Sequence, residues 1–277
     1  MPVSDTSHER DQGAPVSARS ILFLYRRARP AEGLLNTEAN MRIWHQSSTE
    51  IDELGVYRTS LIEHAGKTLP ADAAIEVHGM PPGRYRGRAP SAALGNAYAH
   101  HRILEPVLTN AVHAEQKGYD AFVVGSFSEP FLRELRAAVD IPVVSLTESS
   151  LLIACSLGRY SAIVSNAPTT AWMGRMSVDS HGLGSRVLRV QSIDPPLEEP
   201  ALAAGFRDPA PVIESFRRAA LEAIGDGADV VIPGEGMLAE LLYVNGVREI
   251  ESAPVLDVFG VTWAYAAMLA GLRARTG

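Results

Sequence analysis

An internal match between two nine-residue stretches constrains the fold of this chain more than any other feature. Gly118-Tyr119-Asp120-Ala121-Phe122-Val123-Val124-Gly125-Ser126 aligns with Gly227-Ala228-Asp229-Val230-Val231-Ile232-Pro233-Gly234-Glu235. In both, an aspartate follows the first glycine by two places, an apolar run fills the middle, and a second glycine precedes one polar residue. The pattern describes a helix-ending glycine, a buried strand and a turn at the strand's carboxyl end. The match continues downstream. Ile141-Pro142-Val143-Val144-Ser145 follows the first copy and Ala253-Pro254-Val255-Leu256-Asp257 the second, each leading into a helical pattern. Two copies at so long a period are a duplication, not a solenoid. They predict two similar α/β halves, with Ser126 and Glu235 at equivalent strand tips.

Strands and helices alternate along the rest of the chain, which predicts parallel sheets with helices on both faces. A first strand is expected at Ser20–Tyr25, followed by an arginine-containing loop. Residues 37–65 have helical content, interrupted at Ser47-Ser48-Thr49 and Gly55. A second strand, Ala73–His78, ends in the turn-rich Gly79–Gly83. Residues 91–117 form a helical pattern that Pro106 should kink or restart. In the second half, strands are expected at Tyr160–Ser165 and Arg186–Ile193, a loop over 195–208, and a helix over 209–224. The domain division implied is a first lobe of residues 20–145 plus 258–277 and a second of 146–257.

Composition narrows the function. The chain has 277 residues, 46% of them hydrophobic, and a net charge of −7. That balance suits a globular protein with a sizeable core and argues against a nucleic-acid or membrane-surface role. Residues 1–19 are polar and aperiodic, as expected of a disordered tail. The lone Cys155 rules out an internal disulfide and fits a reducing, cytoplasmic setting. No His, Cys, Asp or Glu spacing matches a metal site. Gly234-Glu235-Gly236 begins a loose dinucleotide fingerprint, but Glu235 would face the pyrophosphate with like charge.

These segments together resemble the aspartate/glutamate/hydantoin racemase superfamily, most closely its hydantoin racemase-like members. The resemblance runs from about Ser20 to the carboxyl terminus. It is carried by Gly125-Ser126-Phe127-Ser128-Glu129-Pro130, Ile141-Pro142-Val143-Val144, His181-Gly182-Leu183, Asp226-Gly227-Ala228-Asp229 and Pro254-Val255-Leu256-Asp257. It implies two Rossmann-like lobes related by a pseudo-twofold, an active site between them, no cofactor, a small-molecule substrate and a possible homo-oligomer. It also implies two opposed cysteines that pass a proton across the substrate's acidic carbon. Here the chain departs, because Ser126 and Glu235 occupy those two positions.

The departure changes the chemistry. A thiol ionises near pH 8.5 and is readily tuned to neutral pH. A serine hydroxyl needs a neighbouring base, or serves only as a donor. A carboxylate is a competent base, and burial raises its pKa toward working pH. Glu235 is therefore the candidate general acid/base and Ser126 the candidate opposing donor or nucleophile. Racemisation or isomerisation, decarboxylation and ring-opening hydrolysis of a cyclic amide all fit this pair, as does a binding protein that has lost its thiols. Candidate substrate contacts are Phe127 and Gly236 beside the pair, Ser165, Asn166 and Thr169 at a helix start, Arg26 after the expected first strand, and His78 at a strand end.

Overall fold

A computed structural model describes residues 41–277. The expected tail, the strand at Ser20–Tyr25 and Arg26 lie outside the described residues. The duplication builds two parallel sheets. In the first, β1 (Met41–Ser47), β2 (Ala73–His78), β3 (Ala121–Gly125) and β4 (Val143–Ser145) stand in the order β2-β1-β3-β4. In the second, β5 (Ser161–Ser165), β6 (Val187–Ser192) and β7 (Val230–Pro233) stand in the order β6-β5-β7. A parallel bridge from Val231 to Val255 extends that sheet beyond β7. Both sheets thus wind alike, and the two matched stretches supply the third strand of each.

Matched residues have matched roles. Gly118 and Gly227 both adopt positive φ, +76° and +107°, which glycine reaches without steric cost. Asp120 Oδ2 accepts the N–H of Arg42 at 2.7 Å. Asp229 Oδ2 accepts those of Arg159 and Tyr160 at 2.8 and 2.9 Å. Each aspartate ties the start of a third strand to the start of its first. At the other end, a Cβ on Gly125 would lie 2.4 Å from His45 Nε2, and one on Gly234 would lie 2.4 Å from Ser165 Oγ. Glycine is required there because the neighbouring first strand approaches so closely.

The helices are α1 (Gly55–Thr68), α2 (Pro90–Leu94), α3 (Ala97–Leu104), α4 (Pro106–Gln116), α5 (Leu132–Ala138), α6 (Leu146–Leu157), α7 (Pro168–Ser180), α8 (Glu199–Gly205), α9 (Ala210–Gly225), α10 (Gly236–Val244) and α11 (Val258–Thr276). Three expectations need correction. The helical reading of residues 37–65 fails over Met41–Ser47, which is the central strand β1. Its polar residues His45, Gln46 and Ser47 disguise it, yet all three are buried. Gln46 Nε2 donates to Gly79 O at 3.1 Å and Trp263 Nε1 donates to His45 Nδ1 at 3.2 Å. The expected loop over 195–208 contains the short helix α8. The helix over 91–117 divides into three, with Asn96 capping α3 and Pro106 opening α4.

One apolar core runs through both sheets and includes Ile43, Val123, Ile163, Val231 and Trp263. A buried polar cluster joins α1, α10 and α11. His64 lies between Glu240, at 2.9 Å, and Asp257, at 3.0 Å, and stacks on Tyr243 with ring centroids 3.3 Å apart. Burial alone would lower the His64 pKa, but hydrogen bonds to Asp257 and Glu240 outweigh it and the value is raised. Its stabilisation is therefore full below the unfolded value of 6.5 and is lost as pH rises through the higher folded value. His64→Ala leaves the buried Glu240 carboxylate without this partner and should cost about 3–5 kcal/mol in denaturant unfolding at pH 6. A loss under about 1 kcal/mol, the size expected of an exposed pair, would contradict this account of the cluster.

Candidate active site

β3 and β7 each run to a glycine and then a polar residue, at the carboxyl edge where open α/β sheets bind ligands. Ser126 and Glu235 line the same cavity. The tip of β1 adds Ser47, Ser48 and Thr49, α1 adds Tyr57, and α7 adds Thr170 and Met173. Phe127, Ser128, Gly236, Met237 and Glu199 also line it. The cavity is about 70 Å³, too small for a dinucleotide.

Glu235 is the N-cap of α10. Its Oε2 accepts the N–H of Leu238 at 2.7 Å. Burial pushes its pKa up from 4.5 to about 7, against the opposing pull of the backbone donors at Leu238, Met237 and Gly236. The Glu199 carboxylate on the same cavity wall adds to the rise. A carboxyl group poised near neutrality can both take and return a proton. Tyr57 places its hydroxyl 2.9 Å from where a Gly236 Cβ would stand. Burial and then the nearby Glu235 push the Tyr57 pKa well up, so its phenol stays a neutral donor.

Ser126 is held differently. Its Oγ lies 3.0 Å from Ser128 Oγ and accepts the Ser128 N–H at 3.3 Å. The next carbonyl, that of Phe127, accepts from Thr147 Oγ1 at 2.9 Å and Ser177 Oγ at 3.0 Å. Those two hydroxyls pin the loop and so fix the direction of the Ser126 side chain. Glu129 next to it has a positive φ of 46° and binds His181 Nε2 at 2.7 Å.

Of the sequence candidates, the structure brings together Ser126, Phe127, Glu235 and Gly236. It does not bring Ser165, Asn166, Thr169 or His78 to their cavity. Ser165 is fully buried and donates to Gly234 O at 3.2 Å, which holds the two strand tips together. Asn166 is also buried, donating to Leu197 O at 2.7 Å and accepting from Thr170 Oγ1 at 2.7 Å. Both satisfy their own backbone surroundings instead of a ligand. The helix start turns Thr170, not Thr169, toward the cavity. His78 sits on the edge strand β2, one strand further out. It stacks on Trp44 with centroids 3.5 Å apart and lines a separate cavity.

Sequence reasoning missed Ser47-Ser48-Thr49, Tyr57 and Glu199. The first three read as an interruption in a helix, because the strand β1 that presents them was not recognised. Tyr57 and Glu199 carry no local signal, since only the packing of α1 and α8 brings them to the cavity. Among the described residues no group of three or more His, Cys, Asp or Glu side chains is placed to hold a metal ion. None of their helices is long and apolar enough to cross a membrane.

Comparison with known proteins agrees with this fold. A hydantoin racemase of Pseudomonas sp. (strain NS671) is 29% identical over 210 residues, 74% of this chain and 79% of that protein. The allantoin racemase from Klebsiella pneumoniae has a TM-score of 0.67 at 20% identity, covering 85% of this chain and 89% of that one. An unliganded arylmalonate decarboxylase has a TM-score of 0.51 at 17% identity, covering 84% and 93%. The Asp/Glu/Hydantoin racemase family model matches residues 57–266, which include both third strands and the polar residues at their tips. The chain therefore belongs to the Asp/Glu/hydantoin racemase family.

Proposed function

We propose that the protein is a cofactor-independent racemase or isomerase acting on a small cyclic amide of the hydantoin type, with Glu235 as general acid/base. The observation that carries this reading is that Glu235, raised to about 7, shares one small cavity with Ser126 from the matched strand tip. A carbon next to an imide or amide carbonyl is acidic because its electron pair delocalises onto oxygen when the proton leaves. Glu235 takes that proton. The neutral Tyr57 hydroxyl on the cavity wall donates to the oxygen that gains charge. The names of the relatives support the substrate class.

A second reading is favoured by the asymmetry of the pair. Of the two strand-tip residues only Glu235 titrates, which suits protonation from one side after loss of carbon dioxide from a malonate-type acid. Proton NMR in heavy water with 5-isobutylhydantoin and phenylmalonate separates the two. Exchange at the ring carbon supports racemisation, and product formation from phenylmalonate supports decarboxylation.

Glu235→Gln should lower turnover by about 10²- to 10⁴-fold while leaving binding of the probe, read by calorimetry, within about threefold. Undiminished turnover would remove Glu235 from the mechanism. For the enantiomer whose proton passes to Glu235, the rate of exchange with solvent deuterium should rise as pH increases through about 7. A profile flat between pH 5 and pH 9, or rising only near the unperturbed value of 4.5, contradicts the assignment.

Burial of this carboxylate also affects stability. Its folded pKa is above its unfolded one, so its contribution is full below about 4.5 and declines as pH rises to about 7. Glu235→Gln keeps the oxygen that caps α10 and removes the ionisation. The variant should melt higher than the native protein at pH 8, by up to ~3 kcal/mol, and the gap should close toward pH 4.5. Equal melting at both pH values would show that burial does not penalise the charge.

A further inference from the structure

A serine hydroxyl at one of the two tips leaves the proposed reaction without a base on that side. The structure supplies one at two removes. Ser126 Oγ lies 3.0 Å from Ser128 Oγ, and Ser128 Oγ lies 3.0 Å from His100 Nε2. Ser128 is part of the wall between two cavities. It lines the small one with Ser126 and Glu235, and it lines a wider one of about 800 Å³ together with His100. The chain of hydrogen bonds therefore runs from the reacting space, through the wall, to an imidazole that can trade protons with solvent on the far side. Its middle is rigid, because the Phe127 carbonyl between the two serines is gripped by Thr147 and Ser177.

We propose that His100, acting through Ser128, makes Ser126 the second proton-transfer group of the site, serving the substrate face that Glu235 does not. This deepens the function proposed above and rests on it. His100 is thereby a positioning and relay residue, and Ser126 is the group that touches substrate. The wider cavity also carries Glu129, Glu134, Arg133, Arg136 and His181, and His101 follows on the same helix. Glu129 is engaged by His181 at 2.7 Å, so it is not the partner of His100. Burial, and then the neighbouring His101, lower the His100 pKa and keep its ring neutral, able to accept.

The proton count balances. In one direction the C–H bond on the Ser126 side breaks and its electron pair passes into the ring carbonyl. The proton goes to Ser126 Oγ, the Ser126 proton to Ser128 Oγ, and the Ser128 proton to His100 Nε2, giving an imidazolium. Neutral, protonated Glu235 then gives its proton to the other face of the carbon and becomes a carboxylate. In the reverse direction Glu235 takes the proton and the imidazolium returns one along the two hydroxyls. One proton is shared between Glu235 and His100 throughout, and no other reactant is needed.

The test follows hydrogen–deuterium exchange at the ring carbon of each separate enantiomer of 5-isobutylhydantoin in heavy water, with the full chain. Glu235→Gln should stop exchange from one enantiomer. His100→Ala and Ser128→Ala should each slow exchange from the opposite enantiomer by about 10²-fold or more, yet leave it for the first. The retained exchange is an internal proof that each variant is folded. The double variant should lose no more than either single one, because both cut the same chain. Added imidazole should restore the His100→Ala protein and not the Ser128→Ala protein. The relay is overturned if His100→Ala and Ser128→Ala exchange both enantiomers within about threefold of the native rate, or slow both equally. A native protein that exchanges neither enantiomer overturns the parent reading and the relay with it; a native protein that is active while the His100 and Ser128 variants are unaltered overturns the relay alone.

Discussion

A carboxyl group at the first turn of a buried helix is pulled in two directions, and the site depends on how that contest ends. The donors at the start of α10 favour the ionised form of Glu235, as helix amino termini favour any anion. Desolvation in the cavity and a second carboxylate, Glu199, favour the neutral form. Desolvation is the larger effect, so the group stays near the midpoint of its titration at neutral pH. A thiol in the same place would reach a useful pKa from above, whereas this carboxyl group reaches it from below.

The strand tips around the cavity are tightly packed. Gly234 must be glycine because β5 comes within contact of it, and Gly125 must be glycine because β1 does. These close approaches bring each third-strand tip against its own first strand. The first-strand side contributes Ser47–Thr49 to the cavity in one sheet and a structural serine, Ser165, in the other. The two sheets are therefore alike in winding and unlike in use. On the Ser126 side the tip opens into the cavity and toward a histidine. On the Glu235 side the polar neighbours are spent on holding strands together.

Much of the fold was legible because it is written twice. Glycine, aspartate and glycine recur at the same spacing because each meets the same local need in both halves. The first glycine ends a helix in the left-handed region, the aspartate ties the third strand to the first, and the second glycine permits a close crossing. The matched tips were legible for the same reason. What was not legible depended on polar residues inside the core. β1 contains His45, Gln46 and Ser47, which read as surface residues until Trp263 and the Gly79 carbonyl are seen to satisfy them. Ser165 and Asn166 misled in the opposite sense: their donors look free in sequence and are consumed by Gly234 and Leu197 in space. Glu199 and His100 reach their places only through packing between distant helices, which no local pattern encodes.

The central claim is that the carboxyl group of Glu235 titrates near neutrality inside a cavity it shares with Ser126. Carbon-13 NMR of the Glu235 side-chain carboxyl measures this directly. The account predicts a midpoint at about 7 and a shift of that resonance when a 5-substituted hydantoin is added. A midpoint near 4.5, with a resonance indifferent to the hydantoin, would contradict it.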